Sequence, residues 1–121
     1  MPANPDLGRW GEARAAEHLQ GRGFTILHRN FRFRRNEIDL IVRHGGLVVF
    51  VEVKARAGDG FGHPLDAVTR RKRREIERVA RAWMQRHGRP GDEYRFDAIA
   101  VRGGPGDAEL VHVENAWRVN E

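Results

Sequence analysis

Cysteine is absent from the 121 residues of this chain, which excludes disulfides and any thiolate metal site. Lysine is nearly absent too: of 22 basic side chains, all are arginine except Lys54 and Lys72. No apolar run approaches the ~20 residues that a membrane-crossing helix needs. The opening Met1-Pro2-Ala3-Asn4-Pro5-Asp6 has no signal-peptide core. The six histidines fall at no zinc-ligand spacing. Gly58-Asp59-Gly60-Phe61-Gly62 lacks the lysine and hydroxyl of a phosphate-binding loop, and reads instead as a flap beside a site. What these absences leave is one domain, residues 1–121, cytoplasmic and without a membrane partner.

Basic charge is what the chain has in excess. The net charge is +5, but its distribution says more. Residues 70–89 carry nine basic side chains against Glu75 and Glu77, and Arg29, Arg32, Arg34 and Arg35 add four with no acid among them. Two such segments suit a polyanionic partner better than they suit solubility alone. The scarcity of lysine gives the two that remain a meaning: arginine is used wherever either cation serves. A retained lysine points to work for a compact ammonium.

Apolar spacing predicts a helix over 7–20, with Glu12, Ala16 and Leu19 on one face and Gly21 and Gly23 as its stop. Strands are expected at 24–29, 37–43 and 47–55, with 30–35 a basic connection and His44-Gly45-Gly46 a turn. A glycine-rich loop over 56–65 precedes a long helix that starts between Asp66 and Thr69 and ends near His87. Its apolar stripe is Val68, Ile76, Val79, Ala80, Trp83 and His87, and Lys72 falls on that stripe. Strands at 94–101 and 110–113 follow, with a turn over 103–107 between them. The order is α-β-β-β-α-β(β), an α/β arrangement in which a meander leads into a helical crossover.

Asp39 and Glu52 stand inside two of these apolar strands, where a charge is costly unless it is paired or holds a metal. Side chains alternate along a strand, so Glu37, Asp39 and Ile41 share one face, and Phe50, Glu52 and Lys54 share another. A two-residue turn at Gly45-Gly46 sets Asp39 across from Glu52 and Glu37 across from Lys54. A register shifted by one residue would turn the acids to opposite faces. Two opposed carboxylates repel, and a divalent ion with hard oxygen ligands, Mg²⁺ or Mn²⁺, resolves the conflict. Such an ion activates water for attack on a phosphodiester. Asp39, Glu52, Lys54 and Glu37 are thus the candidate catalytic residues, and Asp39, Glu52 and Glu12 the candidate metal ligands. A plain cross-strand ion pair, Glu37 with Lys54, is the bland alternative.

The basic segments supply candidate nucleic-acid contacts: Arg32, Arg34 and Arg35, and Arg70, Arg71, Lys72, Arg73 and Arg74. The second group sits at the start of a helix, where cations oppose the helix dipole and an outside anion would compensate. Lys72 either points to the carboxylates or extends to solvent. Phe31 and Phe33 either stack on unpaired bases or join the core.

The pattern Gly11-Glu12, Asn30 to Arg32, Glu37-Ile38-Asp39-Leu40-Ile41, Phe50-Val51-Glu52-Val53-Lys54 and Arg95-Phe96-Asp97 resembles the YraN-like family of small bacterial proteins. That family is assigned to the PD-(D/E)XK, restriction-endonuclease-like superfamily, and the resemblance spans residues 8–117. It implies a restriction-endonuclease-like core, Asp39 and Glu52 as metal ligands, and Lys54 as the catalytic lysine. It also suggests likeness to Holliday-junction resolvases, which share that core. The family usually has glycine before the Glu-Ile-Asp segment; this chain has Asn36, which tolerates left-handed backbone. The expectation is a Mg²⁺- or Mn²⁺-dependent endonuclease on DNA, branched or in repair and recombination, acting as a homodimer where two strands are cut. The alternatives are an inactive nucleic-acid-binding protein of the same fold, and an interaction module for an acidic protein.

Overall fold

The computed structural model describes residues 4–57, 63–103 and 108–119. The expected flap, 58–62, and residues 104–107 of the expected turn lie outside them. Helix α1 spans Asn4–Gly21, and strands β1 (Thr25–Phe33), β2 (Asn36–His44) and β3 (Leu47–Arg56) follow. A 3-10 turn at Pro64–Ala67 leads into helix α2 (Arg70–His87), then β4 (Glu93–Arg102) and β5 (Glu109–Trp117). The chain has an α/β fold, with one five-stranded sheet in the order β1-β2-β3-β4-β5. The pairs are antiparallel except β3 with β4, which are parallel. Parallel neighbours need a crossover, and α2 supplies it.

Each face of the sheet is covered by one helix. Ala15, Ala16 and Leu19 of α1 pack on Leu40, Val42, Val49, Val51, Ile99 and Val101. On the other face, Ile76, Val79, Ala80 and Trp83 of α2 pack on Ile41, Val48, Phe50, Phe96 and Ala98. Trp83 and Phe50 meet edge to face at 5.8 Å, and the indole N–H of Trp83 donates to His28 Nδ1 at 2.9 Å. Contact of α1 with the sheet is close enough to require glycine. A Cβ on Gly11 would stand 2.5 Å from that of Ala55.

The β2–β3 register is the one the glycine turn dictates. His44 pairs with Leu47, Ile41 with Phe50 and Leu40 with Val51, with Gly45 at φ 60 in the turn. Four expectations are corrected. Residues 30–33 are not a connection but the end of β1, pairing Phe31 with Ile38 and Phe33 with Asn36. Both phenylalanines pack against the α2-side core, so they are not free stacking platforms. The left-handed residue beside β2 is Arg34, at φ 59, rather than Asn36. Strand β5 is also longer than expected, continuing to Trp117.

Candidate active site

Beyond Leu40 and Val51 the paired residues of β2 and β3 end, and the acids stand at the next position on each strand. There the Asp39 carboxylate replaces a ladder partner: its Oδ2 accepts the Val53 N–H at 2.7 Å. Strict alternation also breaks here. Ile38 joins Ile41 in the α2-side core, opposite a stretch of β1 where Asn30 is left-handed at φ 51. Glu52 follows Phe50 on the α2 side of β3, and its carboxyl lies close enough to that of Asp39 for each to shift the other's titration.

Burial and repulsion shape the pair's titration. Burial first, and then the Glu52 carboxylate, push Asp39 up to about 8. Burial raises Glu52 as well, although its interaction with Asp39 and the charges of Lys72 and Lys54 pull it back. Two acids so coupled titrate as a pair, and their shifts favour one proton held between them near neutral pH. Lys72 answers the question its position on the stripe leaves open: it reaches the acids, with Nζ 3.4 Å from Glu52 Oε2. Burial lowers its pKa, but Glu52, Asp39 and Glu75 more than reverse that, leaving it raised.

A cavity of about 390 Å³ opens over the pair, lined by Asp39, Glu52, Lys54, Thr69, Arg71, Lys72 and Glu75 among others. The chain's two lysines therefore line one cavity with the acid pair. Glu12 stands nearby. Burial and the charge of Asp39 raise its pKa, while Asn30 Nδ2 donates to its Oε1 at 3.1 Å. Among the described residues no three His, Asp or Glu side chains gather as a metal cluster; Glu12 and Asp39 act on each other through charge. Glu37 pairs with Arg32 of β1, and on its other side the β2–β3 register ends at Leu40 and Val51, short of a Glu37–Lys54 pair. Glu37 reaches the site through its charge, which raises both Asp39 and Glu12.

Helix α2 sorts the basic tract by its periodicity. Thr69 caps the helix, accepting the Lys72 N–H at 3.2 Å, and no acid lies in the first turn. Arg70, Arg74 and Arg78 recur every four residues and, with Arg35, Arg71, Asn36 and Glu75, line a concavity of about 630 Å³. Arg71 and Glu75 also line the cavity over the acid pair, so the two spaces share a wall. Asn36 Nδ2 donates to Glu75 Oε2 at 3.2 Å, holding that wall to β2. Arg73 turns the other way: its Nε donates to the Val68 carbonyl at 3.0 Å and its guanidinium lies over Trp117. Arg34 lies over Phe33, and Arg32 is exposed on β1. Neither lines the concavity.

A second polar cluster has no counterpart in local sequence pattern. Asp97, fully buried on β4, accepts two bonds from Arg95, at 2.8 and 3.0 Å. It also contacts His112 Nε2 at 2.7 Å and accepts the Asn115 N–H at 2.9 Å. Burial pushes Asp97 up, but His112, Arg95 and the Asn115 amide reverse this and leave it below the usual range. His112 Nδ1 lies 3.0 Å from His18 Nε2. Asn115 is left-handed at φ 50, at the bulge in the β4–β5 pairing. The cluster fixes that bulge and ties β5 to α1, so the Arg95-Phe96-Asp97 segment has a structural use.

Fold and site together define an α/β protein with a half-buried, cation-flanked carboxylate pair at the point where two sheet strands part. The described residues contain no helix long and apolar enough to cross a membrane. The chain belongs to the uncharacterised protein family UPF0102, whose model matches residues 11–101. Its curated relatives include a UPF0102 protein of Clavibacter michiganensis, 48% identical over 114 residues and covering 92% of this chain and 97% of that one. One from Chlorobium chlorochromatii is 55% identical over 96 residues, covering 79% and 74% respectively. A third, from Chlorobaculum parvum, is 44% identical over 125 residues, covering 98% and 97%.

Proposed function

We propose that this protein is a divalent-metal-dependent endonuclease of the PD-(D/E)XK, restriction-endonuclease-like kind, hydrolysing phosphodiesters in DNA. The observation that carries this is the half-buried Asp39–Glu52 pair, whose carboxyls act on each other and share a cavity with both lysines. The donor set fits a hard cation. Magnesium is commonly held by one or two carboxylates plus water and substrate phosphate, so two converged acids suffice. Asp39 and Glu52 would hold Mg²⁺ or Mn²⁺, and a bound ion supplies an activated water and a counter-charge for the phosphoryl oxygens.

The chain's own residues do the rest. Lys54, at the cavity rim, stabilises the negative charge that grows on the phosphoryl oxygens as water attacks phosphorus and the P–O bond to the leaving strand breaks. Glu12 and Glu37 contribute through charge, strengthening cation attraction to the pair. The arginine concavity sharing Arg71 and Glu75 with the cavity seats neighbouring phosphates, which favours a polynucleotide over a small phosphate ester. Branched, repair or recombination intermediates are the proposed substrates, met in the cytoplasm, and a homodimer would present two such sites for two strands.

Incubation with branched, nicked and single-stranded DNA in Mg²⁺ or Mn²⁺ tests the reading. The wild-type protein is expected to cut at least one of them, and Glu52→Gln and Lys54→Ala to lose at least ~100-fold in rate, as expected for groups acting on developing charge. Salt-sensitive binding with no product in either metal would overturn it in favour of an inactive nucleic-acid-binding protein.

A further inference from the structure

The cavity contains one lysine more than phosphodiester hydrolysis by an acid pair and a single lysine requires. Lys54 already supplies an ammonium from β3, yet Lys72 reaches in from α2 and takes Glu52 at 3.4 Å. Lysine is so rare here that its use at both positions around one cavity argues for a role in each. Arginine fills Arg70, Arg71, Arg73 and Arg74 on either side of Lys72, so the choice is specific to the position that meets the acids. A guanidinium would hold a carboxylate bidentately and release it reluctantly. An ammonium is a single-point, strongly hydrated contact.

We propose that Lys72 is the resident counter-ion of the acid pair, which a divalent cation must displace, so that metal loading depends on a phosphodiester giving Lys72 another anion. The inference rests on the metal-site reading above. The ammonium that lies against Glu52 would repel a dication held by Asp39 and Glu52, and that repulsion would weaken metal binding in the absence of substrate. The wall beside Lys72 is Arg71, shared with the arginine concavity, so a strand seated there brings phosphate oxygens within reach of the displaced ammonium. Metal and substrate then tighten each other's binding, because coupling between two ligands is reciprocal. Lys72 acts as a positioning residue, setting when the carboxylates are free.

Calorimetric titration of Mn²⁺ at one fixed pH tests this on the full chain. Lys72→Met is expected to bind Mn²⁺ about tenfold more tightly than the wild type, since removing ~1.4 kcal/mol of competition is tenfold. Lys72→Gln serves equally should the apolar side chain disturb folding. Arg81→Met removes the same formal charge farther along α2 and is expected to leave the affinity within about twofold, being a distant, solvent-screened charge. Adding a short phosphorothioate oligonucleotide should tighten Mn²⁺ binding to the wild type several-fold and to Lys72→Met much less. Equal Mn²⁺ affinity in Lys72→Met and Arg81→Met overturns the counter-ion proposal alone. No Mn²⁺ binding in any of the proteins overturns the metal-site reading and the proposal with it.

Discussion

Replacing Asp39 by asparagine should make the metal-free protein more stable above neutral pH while abolishing its divalent-ion site. An asparagine carbonyl can accept the Val53 N–H as Asp39 Oδ2 does at 2.7 Å, and its amide can donate to Glu52. The variant therefore copies the protonated acid. Burial and Glu52 push Asp39 up to about 8, against ~3.9 in an unfolded chain. Between these values the native state holds a proton that the unfolded state has given up. Stability present below the lower pKa is therefore lost as pH rises towards the upper one, by up to ~1.4 kcal/mol per unit. From pH 5.5 to 7.5 the parent loses roughly 3 kcal/mol through this group. His18 and His28, both lowered by burial, act in the opposite sense, gaining stability as pH rises through the unfolded histidine value. Both proteins share those histidines, so the difference between them isolates the acid pair. Urea unfolding in EDTA at the two pH values should show the variant's advantage widening by roughly 3 kcal/mol. An advantage constant to within about 0.5 kcal/mol would refute the assignment of a desolvated, proton-sharing pair.

Two further outcomes follow from geometry. Gly11→Ala sets a Cβ 2.5 Å from that of Ala55, and overpacking of this kind costs about 1–3 kcal/mol. Thermal or urea unfolding would read the destabilisation, and an unchanged midpoint would contradict the close packing of α1 on β3. Arg74→Ala and Arg78→Ala each remove a cation from the concavity, so DNA affinity should fall. The slope of log affinity against log salt should shrink by about 0.7–0.9 for each phosphate that the variant leaves unneutralised. Arg73→Ala, whose guanidinium packs on Val68 and Trp117, should leave that slope unchanged and lower stability instead.

Local rules made the centre of the site legible. Gly45-Gly46 admits one hairpin register, and that register brings Asp39 and Glu52 together. The spacing of Lys72 from Ile76, Val79 and Trp83 placed it on the buried side of α2, though only packing decided that it reaches Glu52. Departures arose where backbone geometry interrupts a period. The left-handed Asn30 and the broken alternation at Ile38 hid the second half of β1, and the Asn115 bulge hid the end of β5. The parting of β2 from β3 after Leu40 and Val51 left Glu37 facing Arg32 rather than Lys54. The contact between His18 and His112, 94 residues apart, has no local signature. The arginine face was partly readable: a four-residue period links Arg70, Arg74 and Arg78, but Arg78 lies outside the dense cationic run that draws attention first.

Crystals soaked in Mn²⁺ and measured by anomalous scattering test the central claim most directly. The account predicts an anomalous peak within ligand distance of both Asp39 and Glu52, with Lys72 withdrawn from Glu52, and no such peak in Asp39→Asn. Manganese absent from the pair at millimolar concentration, with Lys72 still seated on Glu52, would contradict it.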